Sequence, residues 1–549
     1  MTEAIGWHFL EFEPLVAALL MASGLGFIYV YFRDRCLPPL PPGPKGLPFV
    51  GNIMDMPPKG VPAFEHFHKL HSRYGSVFSV TVLGQTTVFL YERHAVDEIM
   101  RKMAVKTSGR PQNTFADMAG YDCLNVTQQY RSQIWQRHRR IIQQFLRPEK
   151  ISKSINEVMD SESRRFLLRV LNDPKRLIWH LQTQTSSVIL KVLYGYNMNL
   201  SEPDPLIQLM HLMMDGLASV SMLFSWVVGI FPILTNLPSW MPFKKKAKEL
   251  HSLNELLSGV PFNFVKKSMT EGTHRPSFVS SHIEQYVEQK GAWTLETGAE
   301  YDIKSTAMTL FAGGSDTATP ILSGFVLAMV MFPEVQKKAQ AELDAVVGNR
   351  LPDLDDQSQL PYVSAVVSEA LRWFPPTPMN HPHRVEEDIM YDGYRIPKNS
   401  LLSVGTRSLL HDPQTYADPD RFDPDRFITR NEPNPAETAF GFGRRACPGR
   451  HLAEKSLFLT ISRLLATFDI QKVVEEGKEK VAKLEITGSL VVQPAEFPFQ
   501  IVPRSDAAAE MVRKWGMENP AEMSDAADLT LPSAADFTGM LGHIKEILK

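Results

Sequence analysis

The sequence predicts a mainly α protein with a minor β part. Apolar residues recur at helical spacing through residues 303–332 and 452–468, and a strongly basic stretch at 130–146 has the same period. Alternation of apolar and small polar residues is confined to short pieces. The clearest is 77–90 around Gly84, a hairpin pattern; 401–404 and 485–492 are others.

Composition narrows the function. The 549 residues carry 58 basic and 61 acidic side chains, a net charge of −3. That gives no bulk electrostatic attraction for nucleic acid. Three cysteines, Cys36, Cys123 and Cys447, are too few and too scattered for a disulfide framework, as expected in a reducing compartment.

Residues 14–32 contain no charged side chain. At helical rise they reach roughly 28 Å, enough to cross a bilayer core. Glu3, Glu11 and Glu13 precede them, and Arg33, Arg35 and Lys45 follow. This asymmetry places 1–13 in the lumen and the bulk of the chain in the cytosol; a buried apolar helix is the alternative. A hinge at 33–52 follows, with prolines dense enough to forbid helix. His66, His68 and His71 invite a zinc reading. His66 and His68 point to different sides of a helix, however, and a solvated helix face fits better.

Four further stretches stand out. Residues 205–243 are rich in methionine and aromatics, among them Met210, Met213, Met222, Phe224, Trp226, Phe231 and Trp240. Ordinary core and a mobile access lid both fit that composition. The apolar run 303–332 is interrupted by Ala312-Gly-Gly-Ser-Asp-Thr-Ala-Thr-Pro320. Glycines and a proline inside a buried helix loosen its ladder and leave room for a small ligand or water. A kink with Thr317 capping a carbonyl is the plainer reading. Glu369 and Arg372 share one helix face at i,i+3, ordinarily a solvated pair. Finally, Phe440-Gly-Phe-Gly-Arg-Arg-Ala-Cys-Pro-Gly449 sets one cysteine in a glycine-rich turn before a helix. There the helix dipole and free N–H groups favour thiolate. A thiolate so held can ligate iron, and a haem ligated by cysteine is set up to split dioxygen. A structural cysteine is the alternative.

The spacing of Phe440, Gly443, Arg445, Cys447 and Gly449 resembles the haem-binding loop of the cytochrome P-450 family, and the resemblance runs from about Leu37 to about Arg504. It implies one large haem domain, 53–504, behind the transmembrane anchor. It implies Cys447 as the axial ligand of haem b iron, with Phe440 and Gly449 in the cofactor loop. Arg445, Trp135, Arg139 and His383 would hold the propionates, with Arg384 competing for the place of His383. Gly313 and Gly314 would line the oxygen groove, with Asp316 and Thr317 handling protons. Ala318 departs from many relatives, which carry a second threonine there. Glu369, Arg372 and Arg426 would form a structural network, although Pro419-Asp-Arg-Phe422 is a near copy of the motif around Arg426. The other basic residues of 131–147, with Arg444, Arg450 and Lys455, would face solvent as a docking patch for an acidic redox partner.

The chain has no flavin or nicotinamide fingerprint of its own. The resemblance therefore implies NADPH electrons through a membrane-bound flavoprotein reductase, at a single-pass site in the endoplasmic reticulum membrane. The hinge and the Ala-Gly-Gly-Ser-Asp-Thr form resemble fungal members. They imply insertion of one oxygen atom from O2 into an apolar small molecule, a terpenoid or other secondary metabolite. The alternative is a haem-thiolate isomerase or dehydratase that needs no reductase. Residues 505–549, acidic and alanine-rich, read as a disordered or loosely helical extension.

Overall fold

The structure, a computed structural model, describes residues 37–147, 153–200, 202–221 and 227–548. The expected lumenal segment and anchor, the start of the hinge, and Met222, Phe224 and Trp226 lie outside the described residues.

Helices dominate. Those that build the site are α1 (Gln133–Phe145), α2 (Lys153–Asn172), α3 (Leu177–Tyr194), α4 (Pro205–Ser221), α5 (Pro242–Glu271), α6 (Thr297–Ser315), α7 (Ala318–Met331), α8 (Pro361–Trp373) and α9 (Arg450–Thr467). One four-stranded sheet flanks them, in the order β1 (Val77–Val82), β2 (Gln85–Leu90), β4 (Leu401–Val404), β3 (His383–Arg384). The expected hairpin is present: β1 and β2 are antiparallel, with Val77 opposite Leu90 and Val82 opposite Gln85. Gly84 makes the turn at φ +82°, a conformation that costs glycine no steric strain.

The core has two main parts. One gathers buried residues of α3, α4, α5 and α6, such as Leu190, Met210, Leu253 and Phe311. The other gathers α2, α7, α8 and α9 around Phe166, Phe325, Trp373 and Leu464. Thr297–Met331 is the one helical stretch among the described residues long and apolar enough to cross a membrane. Two-thirds of its most apolar window (67%) is buried inside the protein, as befits a core helix. It breaks where the sequence interrupts its own pattern: α6 ends at Ser315 and α7 starts at Ala318.

Glu369, Arg372 and Arg426 meet in one buried ion cluster. All three side chains are fully buried. Glu369 accepts two bonds from Arg372, at 2.8 and 2.9 Å, one from Arg426 Nε at 3.0 Å and one from the Asp423 N–H at 2.8 Å. Burial pushes its carboxyl up, and the two guanidiniums and the Asp423 N–H oppose that push. The near copy is resolved by position: Arg421 lies half-exposed beside Glu334, whereas Arg426 is interior and takes Glu432 as a further partner. Arg372 also donates to the carbonyls of Leu410 and Pro419, and Arg426 to that of Ala417. The ion cluster thus ties α8 to the segment that leads into the cysteine loop.

The tail departs from expectation. Residues 505–548 form α10 (Asp506–Glu518) and α11 (Ala534–Leu548), and both pack on the body. Val512, Phe537, Leu541 and Ile544 are buried in it. Composition concealed this, because a few well-spaced apolar residues suffice to dock a helix.

Removing one partner of a buried ion cluster leaves a charge uncompensated, at a cost of about 3–5 kcal/mol. Glu369→Ala is therefore expected to give protein with little bound haem and a lower urea midpoint. Full haem content would refute a scaffolding role.

Candidate active site

Cys447 sits just upstream of α9, whose N-cap is Gly449. Its N–H donates to the Phe440 carbonyl at 2.8 Å, closing the loop. Gly443 makes the closure possible: its φ is +57°, and a Cβ there would stand 2.4 Å from the Met100 carbonyl oxygen. The Cys447 side chain faces open space, yet the surrounding protein raises its thiol above the ordinary value. Burial is the larger cause, and the Gly449 N–H and Arg139 pull the other way. The sequence led us to expect the helix N-terminus to favour thiolate; here desolvation wins. A bound cation reverses that balance, since a coordinating thiol is deprotonated outright.

Beside this loop lies a cluster of cations. Arg110 is buried and donates to the carbonyls of Val126, His381 and Pro382. Arg139 Nη2 donates to the Ala446 carbonyl at 2.5 Å, one residue before the cysteine. Arg445 donates three N–H groups to the carbonyls of Ser108, Asn125 and Gln128, and its guanidinium lies 4.7 Å from the centre of the Trp135 ring. Among the described residues, none of the three arginines has a carboxylate within ion-pair distance. Burial lowers all three, Arg445 to about 9, and Arg139 beside it adds to that shift. Trp135 Nε1 and Arg139 Nε are buried with no hydrogen-bond partner. His383 is buried, its Nδ1 donating to the Thr107 carbonyl at 2.7 Å, so Nε2 is the nitrogen left to face a ligand. Arg384, the competitor, pairs with Glu386 at 3.3 Å.

Above the cysteine the helix break gives each glycine a different task. A Cβ on Gly313 would meet nothing within 4 Å, so this residue faces open space from inside a core helix. A Cβ on Gly314 would stand 2.5 Å from Ile189 Cδ1. The expectation that both glycines line the groove is thus corrected: Gly314 lets α3 approach α6, and Gly313 alone opens the hollow. Thr317 Oγ1 donates to the Gly313 carbonyl at 2.8 Å, so the capping kink is present as well. Burial raises the Asp316 carboxyl; nearby Asp215 adds to this and His211 opposes it.

The comparisons decide the family. The cytochrome P-450 family model matches residues 41–500. The chain belongs to the cytochrome P-450 family. It is 39% identical over 522 residues to the cytochrome P-450 monooxygenase CLM2 of Gibberella zeae, covering 93% of this chain and 98% of the relative. It is 37% identical over 496 residues to a multifunctional cytochrome P-450 monooxygenase of Aspergillus fumigatus, covering 89% and 92%. It is 35% identical over 504 residues to an O-methylsterigmatocystin oxidoreductase of Aspergillus flavus, covering 90% and 93%. This P-450 is an oxidoreductase of the monooxygenase class.

The family implies a haem with a thiolate-bound iron, and the residues fit it. A thiol, guanidiniums with no carboxylate partner among the described residues, and two orphaned N–H donors lie together at the cysteine loop. Carboxylates placed there would satisfy the orphaned donors and neutralise the cluster. Arg110 was not singled out from the sequence; Gly109-Arg-Pro is no motif, and only the fold carries it to Arg445. The expected solvent-facing basic patch is smaller than read. His138 is fully buried between Gln128 and Asp302, and Arg137 pairs with Asp302 at 2.8 Å, so both tie α1 to α6. The histidines at 66, 68 and 71 bond separately, to Asp55, Ser408 and Gly75, and among the described residues no three His, Cys, Asp or Glu side chains gather as a metal-binding cluster.

The two glycines provide a test. Gly314→Val is expected to cost about 1–3 kcal/mol by overpacking and to lower the melting temperature. Gly313→Val should leave that temperature nearly unchanged and weaken 4-phenylimidazole binding, read from the haem absorption band. The reverse pattern would refute the assignment.

Proposed function

We propose that this P-450 is a membrane-anchored haem-thiolate monooxygenase that inserts one oxygen atom from O2 into an apolar small molecule, with electrons from NADPH delivered by a flavoprotein reductase. The observation that carries it is the cluster of Arg110, Arg139 and Arg445 beside Cys447, without a carboxylate partner among the described residues; the open face of Gly313 in the interrupted core helix supports it. The fungal monooxygenase relatives support a secondary metabolite, of terpenoid or similar apolar type, as substrate. Exposed Phe231, Ile233 and Trp240 support contact of the 205–243 region with the endoplasmic reticulum membrane.

Haem bound here supplies reductive activation of dioxygen. Cys447 Sγ is the ligand atom, held in register by the Phe440 carbonyl and the Gly449 N–H. Arg445, Trp135, Arg139 and His383 bind the cofactor's carboxylates, and Arg110 stands beside them. Thr317 Oγ1 holds a proton donor at the wall of the hollow. In this structure it bonds to the Gly313 carbonyl, and rotation about its Cα–Cβ bond releases it. The Asp316 carboxyl, raised by burial, carries a proton at higher pH than an exposed aspartate does and can pass it inward.

The test is a reconstitution with purified reductase, NADPH and a panel of apolar candidates, beginning from the carbon-monoxide difference spectrum of the reduced protein. Thr317→Ala is expected to keep that spectrum, cut product formation about 10- to 100-fold and divert electrons into hydrogen peroxide. Unchanged product yield per NADPH in the variant would overturn the proton-handling role.

A further inference from the structure

The tail beyond residue 504 has no part in the chemistry above, yet it is anchored in detail. Its first helix, α10, lies so close to α2 that a Cβ on Gly516 would sit 2.7 Å from Leu168 Cδ2. Its middle is pinned by two carboxylates. Asp525, 8% exposed, accepts the Asn197 N–H at 2.7 Å and Arg275 Nη1 at 2.7 Å, and its own N–H donates to the Asn197 carbonyl at 2.9 Å. Glu522 pairs with Arg165 at 3.0 Å and Lys191 at 2.8 Å, the same two cations that hold the buried Glu162. These contacts fix the tail to the ends of α2 and α3.

The last helix then crosses to α4. Phe537, Leu541 and Ile544 recur on one helical face, and all three are buried in one cluster with Leu206, Leu209, Met210 and Met213 of α4. On the same side His543 pairs with Glu249 of α5 at 3.2 Å.

Helix α4 reaches the site from its other faces. Its Met213 carbonyl accepts from Tyr121 Oη at 3.0 Å. His211 accepts from Gln182 Nε2 of α3 at 2.7 Å. One turn along α3, Thr185 Oγ1 donates to the Ser315 carbonyl, immediately before Asp316. His211 and Asp316 lie close enough to act on each other's charge, and Lys545 of α11 acts in turn on His211 and Asp215.

We propose that Phe537, Leu541 and Ile544, pinned in place by Asp525, are positioning residues that clamp α4 beside the α6–α7 break and so set how readily a ligand reaches the haem site. The same clamp holds His211 next to Asp316. That second part rests on the proton-handling reading above; the clamp itself does not.

The test uses the full-length, haem-loaded protein carrying Leu541→Ser with Ile544→Ser, and separately Asp525→Asn. Amide hydrogen exchange across 205–221 and the association rate of 4-phenylimidazole are measured in each. Both are expected to rise about tenfold in the serine pair and less in Asp525→Asn, with the reduced carbon-monoxide spectrum retained. Exchange or association unchanged from wild type overturns the clamp. Faster exchange confined to 534–548 overturns it too, because the tail would then be shown to move without α4. Leu541→Ile with Ile544→Leu should restore both readouts. If the serine pair fails to hold haem, Ile544→Val carries the same test with a smaller rise. Thr317→Ala separates the two readings: it is expected to leak peroxide with exchange in 205–221 unchanged, so a failure of the proton relay leaves the exchange result standing.

Discussion

The architecture depends on one buried ion cluster. Glu369 accepts from both Arg372 and Arg426 in the interior, and the arginines spend their other donors on carbonyls between Leu410 and Arg421. That segment has little regular structure of its own, and it runs directly into the loop that presents Cys447. A loop without helix or sheet ladders must find its hydrogen bonds elsewhere, or leave backbone groups stranded. Here guanidinium forks supply them. The desolvation such a cluster suffers makes it a poor source of stability, but an effective way of allowing only one loop arrangement.

A second electrostatic feature has the opposite character. Arg110, buried, and Arg139 and Arg445, half-buried, gather without a carboxylate partner among the described residues, and burial lowers each of them. Such an arrangement is costly by itself and becomes favourable when a dianion enters. Folding of the apoprotein and retention of haem are therefore linked, since binding to the folded state alone stabilises it. The two clusters flank the same cysteine: one is complete within the chain, and the other, in the function proposed above, would be completed by the cofactor.

The break between α6 and α7 shows how one motif serves two purposes. Gly314 is a packing residue, because Ile189 needs the space of its missing Cβ. Gly313 is an opening. Between the two helices Thr317 Oγ1 bonds back to the Gly313 carbonyl, while the Asp316 carboxyl lies near His211 and Asp215 of α4. His211, on a helix distant in sequence, enters the same neighbourhood, and the tail packs against that helix.

By itself the sequence determined the fold class, the cysteine loop, the hairpin, the broken core helix and the acid–base helix face. These are local patterns, written in spacing over ten to thirty residues. The same information identified Trp135 with Arg139 as a pair on one face, whereas Arg426 over its near copy came from the family resemblance and its order of motifs. Tertiary structure alone decided what those patterns touch. Whether Gly313 or Gly314 faces the hollow depends on where α3 crosses, and the two positions look alike in the chain. Arg110 joins the cation cluster because the bridge from Gly109 to Arg384 and the carbonyls of Val126, His381 and Pro382 hold it inward, and His138 leaves the basic surface because Asp302 of α6 comes to meet it. The tail, polar by composition, becomes part of the body through four buried apolar side chains, Val512, Phe537, Leu541 and Ile544, and two carboxylates, Glu522 and Asp525. In each case the deciding quantity is a contact between residues far apart in sequence, and such a contact has no local signature.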